Sequence, residues 1–158
     1  KAMIEQGADV IATDLSAASV PAAAEKAGVR FVGFQNDMSH LAPKGHVTSV
    51  IFNWDTYLVP NVKEMIAGTW TSKESSFVGI DQGMIALSGL ADDVPTNVRV
   101  MIQNAQAAMK SGVFTPFDGP VYKQDGSMAA KKGSSLSDSD LWSMKYFVKG
   151  IIGTMPAE

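Results

Sequence analysis

Short apolar runs alternate with helical patterns through the first half of the chain. Three runs have the length and the β-branched or aromatic content of buried strands, namely residues 9–12, 29–34 and 47–52. Helical patterns occupy residues 17–27 and 53–67, and a glycine follows each of them. A strand, a helix and a second strand over about thirty residues form a βαβ unit, which predicts parallel pairing of the strands.

The second half of the chain predicts two further strands, two helices and a hairpin. Strand-like runs at 77–80 and 84–87 flank a turn at 81–83, and acidic residues at 92–93 followed by Pro95 predict a helix that runs to about Ser111. Apolar and polar residues alternate over 119–128 on either side of a turn, which predicts a hairpin. A last helix begins at 137–140 and carries the apolar residues Leu141, Met144, Phe147 and Val148. The pattern predicts an α/β fold with a parallel sheet flanked by helices, plus a C-terminal hairpin and helix.

Composition narrows the classes of function. The 158 residues are 46% hydrophobic, enough for one ordinary core, and the net charge of −3 comes from interspersed acids and bases. No basic stripe supports nucleic-acid binding, and no apolar run is long enough to span a bilayer. The absence of cysteine excludes disulfides, thiolate metal sites and cysteine nucleophiles. His40 and His46 lack carboxylate partners at metal-binding spacing, so we expect neither a metal nor a cofactor.

Residues 1–7 have the pattern of the last two turns of a helix that ends at Gly7. The chain has no initiator methionine and no signal-peptide pattern. We therefore expect it to be part of a larger protein.

Polar and aromatic side chains follow each of the first three predicted strands. Ligands bind beyond the carboxyl ends of strands in open α/β sheets, so the corners at 13–14, 34–37 and 53–55 predict one shared cleft. The alternative is that Asp14, Asp37 and Asp55 only cap the helices that follow them.

Trp54 and Phe34 suit a flat heterocycle, because one ring can stack on another while amide or carboxylate groups bind the edge of the ligand. The alternative is that each aromatic ring packs in the core. Asp81 lies in a glycine-flanked turn, where it is either a ligand contact or an ordinary turn aspartate.

Seven segments in this order and spacing resemble the basic membrane protein (BMP, or PnrA-like) family of ABC-transporter substrate-binding proteins, in the C-terminal half of such a protein. The segments are 7–11 (GADVI), 33–38 (GFQNDM), 47–51 (VTSVI), 68–70 (GTW), 79–83 (GIDQG), 117–126 (FDGPVYKQDG) and 144–150 (MKYFVKG).

The resemblance implies a type I periplasmic-binding-protein fold, in which two lobes close over a ligand that is not transformed. Residues 1–158 would form the C-terminal lobe, with the segment from about 112 to 158 belonging either to it or to the hinge or other lobe. The ligand would be a purine nucleoside or purine base, and the partner an ABC permease in the membrane. We expect a monomer that is periplasmic, or anchored to the membrane outside the cytoplasm as a lipoprotein.

The match to the family is partial at the site. Where members often carry Asp-Ser-Asp, this chain has Gln35, Asn36 and Asp37, and Phe52 takes the place of a lysine found in nucleoside-binding members. These differences suggest altered polar contacts, as for a base without a ribose. The predicted ligand-binding residues are Thr13, Asp14, Phe34, Gln35, Asn36, Asp37, Asn53, Trp54 and Asp81.

Two other functions are compatible with the same scaffold. One is a nucleoside-processing enzyme, which would need clustered aspartates to hold a metal or activate water. The corner at Thr13–Asp14 and the single Asp37 do not form such a cluster of aspartates, so we expect no enzymatic activity. The other is a ligand-sensing domain of a regulator.

Overall fold

The computed structural model describes residues 1–73 and 77–155. The chain forms two compact units, Lys1–Lys110 and Ser111–Glu158. The first unit contains α1 (Ala2–Glu5), β1 (Val10–Ala12), α2 (Ser19–Ala27), β2 (Arg30–Gln35), a short 3₁₀ turn (Ser39–Leu41), β3 (His46–Phe52), α3 (Asp55–Ile66), β4 (Ile85–Leu87) and α4 (Thr96–Lys110). The second contains β5 (Val121–Tyr122), β6 (Met128–Ala130) and α5 (Asp138–Trp142).

The first unit contains a four-stranded sheet in the order β1-β2-β3-β4. The first three strands are parallel, with Ile11 opposite Phe31 and Gly33 opposite Ser49. β4 runs antiparallel to β3 and pairs Ile85 with Phe52. The structure confirms the predicted α/β class and the parallel sheet. The three parallel strands all end at one side of the sheet, called here the carboxyl edge, and begin at the opposite amino edge.

The core of the first unit lies where α2 packs on β1 and β2. Phe31 and Ala24 are fully buried, and Ile11, Met38 and Ala42 complete the cluster. α2 ends at Gly28, whose φ of 70° is a left-handed conformation that glycine adopts without steric cost.

Gly33 allows a close contact between β2, β3 and the connection that joins them. A Cβ atom at this position would overlap the Ser49 hydroxyl and lie 3.2 Å from Met38 Cβ. Gly33→Ala is therefore expected to lower the free energy of unfolding by about 1–3 kcal/mol, as overpacking of a core does. Chemical denaturation measures the change. Gly89→Ala is the matched control, since a Cβ there meets open space, and an equal effect of both substitutions would contradict this packing.

Two predicted elements are wrong. In the described structure, residues 77–80 form no strand, because β4 already occupies the place beside β3 and the Gly79 carbonyl accepts hydrogen bonds from Met84 and Ile85. The last helix ends at Trp142 and does not extend through Met144, Phe147 and Val148.

The C-terminal segment pairs with the hairpin in place of continuing the helix. A capping box between Ser137 and Asp140 starts α5. Beyond the helix, the Gln124 N–H donates to the Phe147 carbonyl and the Lys149 N–H donates to Tyr122, each at 2.8 Å. The predicted hairpin itself is confirmed by the antiparallel pairing of β5 and β6.

The predicted helix after the acidic pair begins at Thr96, directly after Pro95. Asp93 does not cap it but forms a bidentate pair with Arg30, at 2.8 and 2.9 Å. No helix among residues 1–73 and 77–155 combines the length and apolar character needed to cross a membrane.

Candidate functional site

Three aromatic rings form a row at the carboxyl edge of the sheet, called here the aromatic row: Phe34, Phe52 and Trp54. The centroids of Phe34 and Phe52 are 5.3 Å apart with the rings at 81°, and those of Phe52 and Trp54 are 6.0 Å apart at 55°. Trp54 is 52% exposed, which excludes the alternative that it is a core residue. The row therefore presents an aromatic surface to which a flat ring can bind.

Phe52 was absent from the predicted ligand-binding set, although it joins the other two rings. The spacing of Phe52 and Trp54, two residues apart across the end of a strand, is the only sequence pattern that indicates this pairing. The opposite ring, Phe34, lies on β2, so its proximity depends on the register of two strands.

Gln35 ends β2 in a left-handed conformation with φ of 69°. This backbone is rare for residues other than glycine, asparagine and aspartate and costs on the order of 1–3 kcal/mol. It turns the chain sharply at the carboxyl edge, beside the aromatic row. Asn36 follows it and is exposed.

Asn53 links the end of β3 to the turn that contains Asp81. Its side-chain amide donates to the Gly83 carbonyl at 2.9 Å, and its backbone N–H donates to Met84 at 2.8 Å. Within the turn, the Gln82 amide donates to the Asp81 carboxylate at 2.6 Å. The structure thus brings the turn and Asn53 together next to Trp54.

Thr13 and Asp14 follow β1 at the same edge of the sheet. The Thr13 hydroxyl accepts a hydrogen bond from the Leu15 N–H at 3.0 Å, and its own N–H donates to Val32 on β2. Asp14 is exposed. Thr13 therefore shapes the turn, and Asp14 is the carboxylate at this corner.

Asp37 does not join the other predicted residues. Its carboxylate accepts the Ser39 N–H at 2.9 Å, a local turn contact that is the main reason that the pKa of Asp37 lies below its ordinary value. The N-cap of the 3₁₀ turn itself is Met38. The Asp37 carboxylate also lies 3.9 Å from the ring of His46, the first residue of β3, whereas Trp54 comes after the last one. The predicted convergence of three aspartate corners is therefore wrong for Asp37.

Asp37 instead lines an open depression of about 480 Å³ at the amino edge. The depression mixes both signs of charge, and its lining comprises Arg30, Asp37, Ser39, Pro43, Lys44, His46 and residues 89–93. It contains none of the aromatic row. Its one aromatic ring is the imidazole of His46, which is only 7% exposed, so the two edges of the sheet differ in chemistry.

Asp37, His46 and Ser49 do not form a catalytic triad. Both Ser49 Oγ, at 2.8 Å, and Asp37 Oδ1, at 3.9 Å, face the same ring nitrogen of His46, whereas a triad needs the acid and the nucleophile on opposite nitrogens. Ser49 is also fully buried. In the described part of the chain, no three histidine or acidic residues are grouped so that they could hold a metal ion.

Burial lowers the pKa of His46, and the nearby Asp37 carboxylate only partly opposes this shift. The unfolded chain then binds a proton at His46 more readily than the folded chain does. The free energy of unfolding is therefore highest above the ordinary pKa of about 6.5 and falls as the pH decreases below it. Denaturation between pH 7.5 and 5.5 should show this loss. His46→Gln should flatten the dependence, and an unchanged slope in that variant would contradict the assignment.

Residues 1–113 match the Bmp family, described as ABC transporter substrate-binding protein PnrA-like. Over 99% of its length the chain is 31% identical to a purine-binding protein of Brucella abortus and 22% identical to a putative ABC transporter glucose-binding protein of Haloferax volcanii. It spans 44% and 37% of those two proteins, less than half of each.

Two solved structures share the fold. A transcriptional activator of the comK gene from Bacillus halodurans aligns over 73% of this chain and 41% of its own, with a TM-score of 0.64 and 20% identity. An ABC transporter solute-binding protein from Conexibacter woesei aligns over 72% of this chain and 39% of its own, with a TM-score of 0.52 and 16% identity.

Proposed function

Because this chain belongs to the Bmp family of PnrA-like ABC transporter substrate-binding proteins, we propose that it binds a purine nucleoside or purine base at its carboxyl edge. The aromatic row carries this proposal, since stacking on an aromatic side chain suits any flat heterocycle. The Brucella abortus relative, a purine-binding protein, supports the choice of purine.

Amide groups beside the aromatic row match the edge of a purine. Gln35 carries donors and an acceptor in one plane, as purine rings do. Asn53 can offer its amide oxygen and the N–H that is not donated to Gly83. Asp81 and Asp14 supply carboxylates that accept hydrogen bonds from ring N–H groups or hydroxyl groups of the ligand. Asp37, directed toward His46, acts on the conformation of the connection between β2 and β3 and makes no direct contact with the ligand.

The chain forms one lobe of a two-lobe binding protein and releases its ligand unaltered to an ABC permease. Its span of under half of each curated relative supports the two-lobe arrangement. The family description supports a role outside the cytoplasm, periplasmic or membrane-anchored. A single lobe supplies only part of the contacts, so this chain alone should bind far more weakly than the complete gene product.

A thermal-shift screen of the complete gene product tests the ligand class. A ligand that binds only the folded state raises the melting temperature, so purines should raise it while sugars leave it unchanged. A shift with glucose alone would contradict the proposal and favour the chemistry named for the Haloferax volcanii relative.

A second assay separates binding from catalysis. The complete gene product, incubated with inosine or adenosine, should release no free base above a buffer blank. Turnover above the blank would contradict a pure binding function and favour a nucleoside-processing enzyme.

A further inference from the structure

The connection that leaves β2 carries three predicted ligand residues, Gln35, Asn36 and Asp37, and it is fixed by a contact three residues after the turn. The Met38 N–H donates to the Ser49 hydroxyl at 3.2 Å, in a buried position. Met38 is only 3% exposed, and Ser49 is completely enclosed. The start of the connection is thus attached to the middle of β3.

Ser49 is held in turn by two contacts, its hydroxyl by His46 on the same strand and its backbone by Ser88 just after β4. The hydroxyl lies 2.8 Å from His46 Nε2, and the Ser49 N–H donates to the Ser88 hydroxyl at 2.8 Å. Because the hydroxyl accepts from Met38, its proton is free to be donated to a neutral His46. Gly33 then packs directly against the Ser49 hydroxyl, which leaves that group little room to move.

This attachment explains how Gln35 keeps its left-handed backbone. A sparsely populated conformation persists only where the surrounding structure fixes it. β2 fixes the chain up to Gln35, which pairs with Ile51, and the bond to Ser49 fixes it after Asp37. If the second constraint is lost, Gln35 can relax to an ordinary conformation and its side chain leaves the carboxyl edge.

We propose that Ser49 is a positioning residue, whose buried hydroxyl determines the direction of Gln35 and Asn36 and thereby the ligand affinity, without touching the ligand. This inference rests on the proposed function. It assigns to a small residue inside the sheet an effect on a site at the carboxyl edge.

The test compares two substitutions that each remove one hydroxyl from β3. Ser49→Ala breaks the contact with the connection. Thr48→Val is the matched control, because the Thr48 hydroxyl donates at 3.1 Å to the carbonyl of Ser88, which directly follows β4 and is not part of the connection. In calorimetry on the complete gene product, adenine or adenosine should bind Ser49→Ala about tenfold more weakly, the scale of one lost hydrogen bond, and Thr48→Val within about twofold of wild type.

Hydrogen exchange provides a readout that does not need a ligand. The amides of 35–39 should exchange faster in Ser49→Ala than in Thr48→Val, while the amides of α2 stay equally protected in both variants. If Ser49→Ala does not fold, Ser49→Cys retains a weak acceptor and should show a smaller change of the same kind.

The outcomes distinguish the two proposals. Equal affinities and equal exchange in Ser49→Ala and Thr48→Val, with wild type binding a purine, would overturn the positioning role alone. A wild-type protein that binds no purine would overturn the proposed function and the positioning role with it. Weaker binding together with faster exchange confined to 35–39 would support both.

Discussion

Replacing Phe31 with alanine is expected to lower the free energy of unfolding by about 3–5 kcal/mol, the largest effect of any single substitution considered for this chain. Phe31 is fully buried and packs with Ile11, Ala24, Met38 and Ala42. Alanine would remove most of a ring from the centre of this cluster and leave a cavity that the sheet cannot close. Urea denaturation measures the change.

Phe114→Ala is the matched control for this prediction. It makes the same chemical change at a side chain that is 46% exposed, so its effect should be within about 0.5 kcal/mol. If the two substitutions cost the same, the core of the first unit does not lie at Phe31.

The second large effect is expected on binding. Trp54→Ala should weaken purine binding by about 1–3 kcal/mol, because it removes a stacked aromatic ring. The residue is exposed at the start of α3, so its removal should leave the stability of the fold nearly unchanged. Calorimetry on the complete gene product measures the affinity.

Trp70→Ala is the control for this substitution. Trp70 follows the far end of α3, and its indole N–H donates to Asn61. Asn61 lies seven residues along the chain from Trp54, a rise of roughly 10 Å on an α-helix, so the Trp70 ring lies about two helical turns from Trp54. Equal losses from both tryptophans, or none from Trp54, would remove the aromatic row from the site.

The parallel sheet could be predicted from the sequence because local and tertiary preferences agree there. The run at 47–52 is apolar, β-branched and bounded by turn residues, and β3 occupies it with one further residue. Where the two preferences conflict, the prediction failed. The apolar run at 77–80 resembles a strand, but the position beside β3 that it would need is occupied by β4, which runs antiparallel to β3.

The prediction of a longer helix in the C-terminal segment failed for a related reason. Its apolar residues repeat at helical spacing, yet Val148 pairs with Lys123 beside the hairpin. A helix continued past Trp142 would give up those backbone hydrogen bonds to another strand. Such non-local competition is invisible in a window of ten or fifteen residues.

The positions of the candidate residues at the ends of the strands could be predicted, but not the direction of every side chain. The position of Trp54 and Asn53 after β3 could be predicted from the strand boundary alone. The position of Asp37 could not, because it depends on the left-handed backbone of Gln35, which turns the next residues back toward His46. A glutamine gives no local indication of that conformation, because the cause is a buried hydroxyl on another strand.

The most direct test of the account is to map where a purine contacts the protein. Photolabelling of the complete gene product with an azidopurine, followed by peptide mapping, should place the label on the segment that contains Phe52 and Trp54, and excess unlabelled purine should prevent it. If the label is found on residues 89–93 at the amino edge, is prevented there by unlabelled purine and is absent from the aromatic row, the claim that the carboxyl edge binds the ligand is contradicted.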